Sequence, residues 1–306
     1  MNCDLKTKGW ELTIGWQDRT NFGMGYGIKF NVSDARTYID RYPGNPTNSI
    51  NTYIAGREIG EIWGFETVGI AKTDDEMQAH LNKVGGQSAI GSGVWTAGDI
   101  MYADQDGKPG ITKGAQTLED HGDLKVIGNN TPRYHFGLDL NANYKGFDVR
   151  LFFQGVMKRD YWQGSNIFWG VGQWGMWWST GLKEHEDYFR DEPVGLAGHE
   201  IAANVNSYYA RPRFDSTQNQ ETQTRYLQDA SYIRLKNLQI GYTLPKQWIN
   251  KLHINRCRVY VSGDNLWTGT SLASMFDPET LAAGDWGSGK TYPLSKVISF
   301  GLNVNF

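Results

Sequence analysis

The sequence predicts an all-β chain, a segment of an antiparallel transmembrane β-barrel with short turns at one end of its strands and long loops at the other. Three observations lead there. Apolar and polar residues alternate over several stretches that approach the ~9–11 residues a tilted strand needs to cross a bilayer. The 306 residues include 37 Gly, 16 Tyr, 13 Phe and 12 Trp, yet only 39% are hydrophobic, the composition of strands that each present one apolar and one polar face. No stretch reaches the ~20 consecutive apolar residues of a membrane-spanning helix. A mean hydropathy of −0.54 excludes membrane helices but not membrane strands.

The clearest element is a hairpin. Tyr134, Phe136, Leu138, Leu140, Ala142 and Tyr144 alternate with polar or small residues, Lys145-Gly146 follows, and Phe147, Val149, Leu151 and Phe153 resume the apolar set. A two-residue turn would place Tyr144 opposite Phe147, Ala142 opposite Val149 and Leu140 opposite Leu151, so that every apolar residue meets another on the same face. The first strands follow the same plan, with Trp10, Leu12, Ile14 and Trp16, then Phe22, Met24, Tyr26, Ile28, Phe30 and Val32. One or two more strands are expected around Glu61 to Ile70. Towards the end come Leu238, Ile240, Tyr242 and Leu244, then Val259 and Val261, then Ile298, Phe300, Leu302, Val304 and the aromatic terminal residue Phe306. The total is roughly eight strands, the smallest closed size among outer-membrane barrels. A soluble β-sandwich would show the same alternation, with the apolar face turned into a core. Strand length, and aromatics such as Tyr134, Tyr144 and Phe147 near the strand ends, favour the barrel.

Charge and cysteine content narrow the function. A net charge of −3 gives no global basic surface, so nucleic acid is not an expected partner. Cys3 and Cys257 are expected as two unpaired thiols. Cys3 is not expected to carry a lipid anchor, since Met1 and Asn2 leave no room for a secretion signal before it. For an exported protein the same shortage implies a fragment or a truncated gene product.

The stretch YLQDASYIRLKNLQIGYTLP (Tyr226 to Pro245), continuing through RVYVSGDNLWT (Arg258 to Thr268), FDPE (Phe276 to Glu279) and YPLSKVISFGLNVNF (Tyr292 to Phe306), closely resembles the SusC/RagA family of TonB-linked outer-membrane nutrient importers. Upstream, KGWELTIGWQDR (Lys8 to Arg19), GDIMYADQDGK (Gly98 to Lys108) and TPRYHFGLDLNANYKGFDVRLFFQG (Thr131 to Gly155) match the same family in the same order, so the resemblance covers essentially the whole chain. It implies a protein about three times this size with a barrel of ~22 strands, of which residues 1–306 would be the C-terminal third. A signal peptide, an N-terminal domain and a plug would precede them. It further implies a cell outer-membrane location in a Gram-negative bacterium of the Bacteroidota, a glycan or peptide substrate, a SusD-like lipoprotein as lid, and a TonB complex acting through the plug. No cofactor is implied.

Four groups of residues invite a chemical role. Tyr161, Trp162, Phe168, Trp169, Trp174, Trp177 and Trp178, interleaved with glycines, fall in an expected extracellular loop. They are either a substrate or lid contact surface that stacks on sugar rings, or a self-packed loop with some rings at the membrane interface. Asp104, Asp106 and Ile111 resemble part of a calcium loop, a pattern many relatives carry more fully, but Lys108 and Pro109 stand where a ligand and a glycine are needed, so no metal is expected. Glu184, Glu186, Asp187, Asp191 and Glu192 contain carboxylates enough for an acid and base pair, yet they lie among Lys183, His185 and Arg190, as in a solvated loop. The six histidines show no zinc spacing with the cysteines. No catalytic residue is expected. The competing functions are a soluble glycan-binding β-sandwich and a glycoside hydrolase. Phe306 is expected to serve barrel assembly as the aromatic end of the last strand.

Overall fold

The computed structural model describes residues 3–91, 93–170, 181–213, 216–281 and 291–306. Seven long strands form one sheet: β1 (Asp4–Arg19), β2 (Gly25–Arg41), β7 (Arg133–Tyr144), β8 (Phe147–Lys158), β11 (Tyr232–Thr243), β12 (Arg256–Thr270) and β13 (Val297–Asn305). Between β2 and β7 lie β3 (Glu61–Phe65), β4 (Thr67–Ile70), helix α1 (Asp74–Val84), β5 (Ile100–Tyr102) and β6 (Leu124–Asn129). Between β8 and β11 lie β9 (Asp160–Tyr161), α2 (Asn166–Trp169) and β10 (Gln228–Asp229), and α3 (Lys246–Ile249) joins β11 to β12.

The long strands pair in chain order, each antiparallel to the next. The hairpin register is the expected one, with Tyr144 opposite Phe147, Ala142 opposite Val149 and Leu140 opposite Leu151. Lys145 and Gly146 both have positive φ, 48° and 91°, as a type I′ turn requires. The connections alternate. At one end are residues 20–24, 145–146 and 244–255; at the other are residues 42–132, 159–231 and 271–296.

The sheet is two-faced over its whole width. One cross-strand row reads Trp16, Ile28, Leu140, Leu151, Leu238, Gly263, Ile298, and the next, after Asp18 at the β1 edge, Tyr26, Ala142, Val149, Ile240, Val261, Phe300. Between them on the other face runs Gln17, Gly27, Asn141, Arg150, Gln239, Ser262, Ser299. The polar face ties its own charges together through Arg150 with Asp139, Arg258 with Asp148, and Asn237 with Asp264. On the apolar face Trp16 is 63% and Phe300 85% exposed. Large rings left open in this way suit lipid, because in water each would forfeit ~1.5–3 kcal/mol of burial. Strands β7, β8 and β11, each 12 residues long, measure roughly 40 Å and span about 30 Å at the usual barrel tilt.

Several expectations are corrected. The β-sandwich is overturned: among the described residues the apolar face has no second sheet over it, and the buried core lies instead among the loops, around Phe65, Tyr102, Phe168 and Tyr226. Phe22 and Met24 are in a turn rather than in β2, since the Thr20 amide donates to the Met24 carbonyl and Gly23 takes φ 93°. Strands do form at Glu61–Phe65 and Thr67–Ile70, but they pair with β6 and β5 inside the loop assembly. Among the described residues the wall therefore has seven strands, not eight. Tyr134 has φ 56°, a break in the alternation where Arg133 turns to pair with Asp34. The alternation also breaks in β11 at a bulge between Leu235 and Asn237. The extra residue, Lys236, allows Leu235 and Leu238 to share the apolar face although they are three apart.

The edges β1 and β13 do not pair with each other among the described residues. Beyond its ladder with β7, β2 is covered by the loop, whose Arg57 carbonyl accepts from the Ile39 amide. Among the described residues no helix is long and apolar enough to cross a membrane. Cys3 is exposed and Cys257 buried, and both are free.

Candidate substrate-facing cleft in the long-loop assembly

The loops at the long-loop end interlock. Helix α1 is capped by Thr73, whose hydroxyl accepts from the Glu76 amide, and by Gly85 at φ 78°, and it buries Met77 and Val84 in the loop core. Asp99, fully buried, takes a bidentate pair from Arg213 across the two largest loops. Asn219 bridges the same junction, accepting from the Ile100 amide and donating to Asp99. Tyr102 donates to the Gln218 carbonyl at 2.6 Å, and burial raises its phenol well above the usual value. That proton therefore stays in place at any physiological pH.

An aromatic nucleus organises the loop of residues 159–231. Phe168, Trp169, Tyr208, Tyr209 and Tyr226 pack mainly edge to face, a geometry worth ~0.5–1.5 kcal/mol per pair beyond area burial. Tyr226 accepts from the Ala210 amide at 2.7 Å, and its phenol is pushed up to about 12 by burial. Tyr161 and Phe168 are buried, and Trp162 and Trp169 are half-buried against this nucleus with ring centroids 6.1 Å apart. Trp174, Trp177 and Trp178 lie outside the described residues.

Beside the nucleus opens a cleft of about 840 Å³. Its walls come from two loops. Lys183, Glu184, Glu186, Asp187 and Arg190 form one side with Tyr208 and Tyr209, while Ser271 and Ala273 to Met275 form the other. Ser274 donates to Glu184 at 2.9 Å and links the sides. The backbone amide of Glu184, with that hydroxyl, holds its carboxyl below the usual range. Asn204 donates to Asp187 at 2.7 Å. Arg190 is buried and spends its donors on the carbonyls of Ala202, Glu186 and Tyr188, stacking on the Tyr188 ring. Of the sequence's carboxylate group, Asp191 instead lines a neighbouring cavity of about 450 Å³ and pairs with Arg211, and Glu192 lines neither.

The second wall is anchored to the barrel strand below it. Arg234 on β11 donates to Thr268 and to Asp277, both at 2.8 Å, and Lys236 at the bulge pairs with Glu279 at 2.9 Å. Arg234 also stands 3.2 Å from Glu279, misaligned for a hydrogen bond. Asp277 accepts from the amides of Glu279 and Leu294, joining the two limbs of residues 271–296. These are the lining and positioning residues that local sequence patterns did not reveal. Their signals were the FDPE motif, which had no assigned role, and the odd spacing of Leu235 and Leu238.

Asp104 and Asp106 come together with Asp123, which the sequence had not suggested; their ligand atoms lie within 4.8 Å of one another. Each already has a task. Asp104 accepts from the Gly107 amide, Asp123 from the amides of Gln105 and Thr112, and Asp106 pairs with Lys108 at 3.1 Å.

No family model matches the chain. Among curated proteins it is 27% identical over 327 residues to TonB-dependent receptor P3 of Formosa agariphila and 26% identical over 331 residues to TonB-dependent receptor P26 of the same organism. Each match takes in 99% of the chain and 29% of the relative, so the chain spans less than a third of their length. Among solved structures it matches the RagAB peptide transporter with a TM-score of 0.63 at 20% identity, covering 99% of the chain and 30% of that one. It also matches the RagAB peptide importer in the open-open state, with a TM-score of 0.62 at 22% identity. These relatives are receptors and transporters rather than enzymes. With the two-faced antiparallel wall, they show that the chain has the fold of an outer-membrane TonB-dependent receptor barrel and is similar to SusC/RagA-type receptors.

Proposed function

We propose that residues 1–306 are the C-terminal part of the barrel of an importer that carries oligomeric nutrients, glycans or peptides, across the outer membrane. In this proposal the long-loop end faces outward under a SusD-like lipoprotein, and TonB acts through a plug outside this chain. The observation that carries it is the continuous sheet with one apolar and one charged face, topped by an open polar cleft whose wall is tied to the charged face. Carboxylates, Lys183 and two tyrosines suit a polar oligomer. Tyr161, Trp162, Trp169, Trp174, Trp177 and Trp178 are assigned to contact with substrate or lid, Tyr161 as the buried member of the group.

Passage needs a closed wall. In lipid, the unpaired backbone groups of β1 and β13 would each cost several kcal/mol, so both edges need strands from outside this chain. A small barrel closed on seven strands would fill with side chains. Residues 1–306 behind an added signal peptide are therefore expected to restore no TonB-dependent growth in a strain lacking the full-length gene, which the full-length gene restores. Growth restored by residues 1–306 alone would contradict the proposal.

Phe306 follows directly on β13 and is exposed. Its deletion from the full-length protein is expected to lower outer-membrane yield at unchanged mRNA, measured by immunoblot of membrane fractions. An unchanged yield would leave it no role in assembly.

A further inference from the structure

The short-turn end carries an unbalanced charge. Lys145, Lys246, Lys251 and Arg256 are all exposed there, and none has an ion-pair partner among the described residues. They share one rim. The Gly146 carbonyl accepts from the Thr243 amide, the Leu244 amide donates to Cys257, and Asn255 donates to Asn305, which brings the 145–146 turn, the 244–255 connection and the end of β13 side by side. No acidic residue occurs from Leu244 to Gly263. The nearby Asp148 is already taken by Arg258, and Asp18 lies at the far edge on β1, beside Arg19.

Aromatic side chains accompany the cations. Phe22 packs edge to face on Tyr144 with centroids 5.7 Å apart, Phe147 lies 4.5 Å from Tyr242, and Lys145 sits 5.1 Å from the Tyr144 ring. Trp248 is 64% exposed on α3, whose Ile249 is buried. Exposed rings at the edge of an apolar face belong at the head-group level of a bilayer. Free cations in the same layer attract anionic lipid. From this charge complementarity we propose that the short-turn rim is a docking surface for anionic phospholipid head groups, with Lys145, Lys246 and Lys251 meeting the phosphates and Trp248 seated between them. It rests on the barrel assignment of the sheet, which the first step of the test examines separately.

The full-length protein would be reconstituted into phosphatidylcholine bilayers, where stable insertion tests the barrel itself. Spin-labelled phosphatidylglycerol and spin-labelled phosphatidylcholine would then be compared for association by electron paramagnetic resonance. The wild type is expected to prefer phosphatidylglycerol, with the preference falling at high salt and by about five-fold for each cation lost. In the variant Lys145→Gln/Lys246→Gln/Lys251→Gln the preference is expected to vanish while heat-modifiable electrophoretic migration stays that of the folded barrel. If that variant does not fold, Lys145→Gln and Lys246→Gln/Lys251→Gln, which alter different connections, should each remove part of it. A preference retained in the variants, or absent from the wild type, would overturn the proposal.

Discussion

Leu140→Arg in the full-length protein is expected to cost about 2–4 kcal/mol of stability, and Asn141→Arg far less. The two positions are adjacent in sequence but opposite in environment. Leu140 sits in the middle of the row from Trp16 to Ile298, and in lipid a guanidinium there has no partner. Asn141 sits in the row with Arg150 and Gln239, on the face where charges are already paired. Unfolding in urea followed by tryptophan fluorescence would measure both. Equal costs would mean that the apolar face does not meet lipid.

Asp277→Ala is expected to be the most disruptive change in the loops. Arg234 is only 4% and Asp277 8% exposed, and removing one partner of a buried pair typically costs ~3–5 kcal/mol because the other charge is left uncompensated. The loss should be local. Asp277 also holds the Glu279 and Leu294 amides, so residues 271–281 and 291–296 should exchange amide hydrogens faster while β7 and β8 stay protected. Replacing both partners, as Arg234→Met/Asp277→Leu, should recover much of that protection. Burial pushes the Asp277 carboxyl up, but the Glu279 amide and the Arg234 guanidinium outweigh it and hold the group below its ordinary 3.8. The tether is therefore complete above that value and is lost as pH falls through the lower folded value. Hydrogen exchange unchanged in Asp277→Ala would refute the anchoring role.

What the sequence revealed follows from which forces are local. The 136–153 hairpin could be placed residue by residue, because a period of two and a two-residue turn leave one register that pairs apolar with apolar. The bulge at Lys236 escaped notice, although its trace was present: Leu235 and Leu238 cannot share a face of a regular strand. The strands at residues 61–70 were recognised as strands but could not be placed, since their partners Ile100–Tyr102 and Leu124–Asn129 are set by loop packing rather than by alternation. The cleft was least legible. The carboxylate run from Glu184 to Asp187 was visible, but its facing wall at Ser271 to Met275 is almost ninety residues away in sequence and is brought there by charges on β11. Pairs such as Asp99 with Arg213 and Tyr102 with Gln218 likewise depend on tertiary structure alone.

The most direct test of the two-faced wall is depth-sensitive fluorescence quenching. In a full-length protein with Cys3→Ser and Cys257→Ser, single cysteines at Leu140, Asn141, Leu238 and Gln239 would be labelled with bimane and reconstituted with spin-labelled lipids. A barrel wall requires strong lipid quenching at 140 and 238 and little at 141 and 239, where aqueous iodide should quench instead. Equal lipid quenching at all four positions, or the reverse pattern, would contradict it.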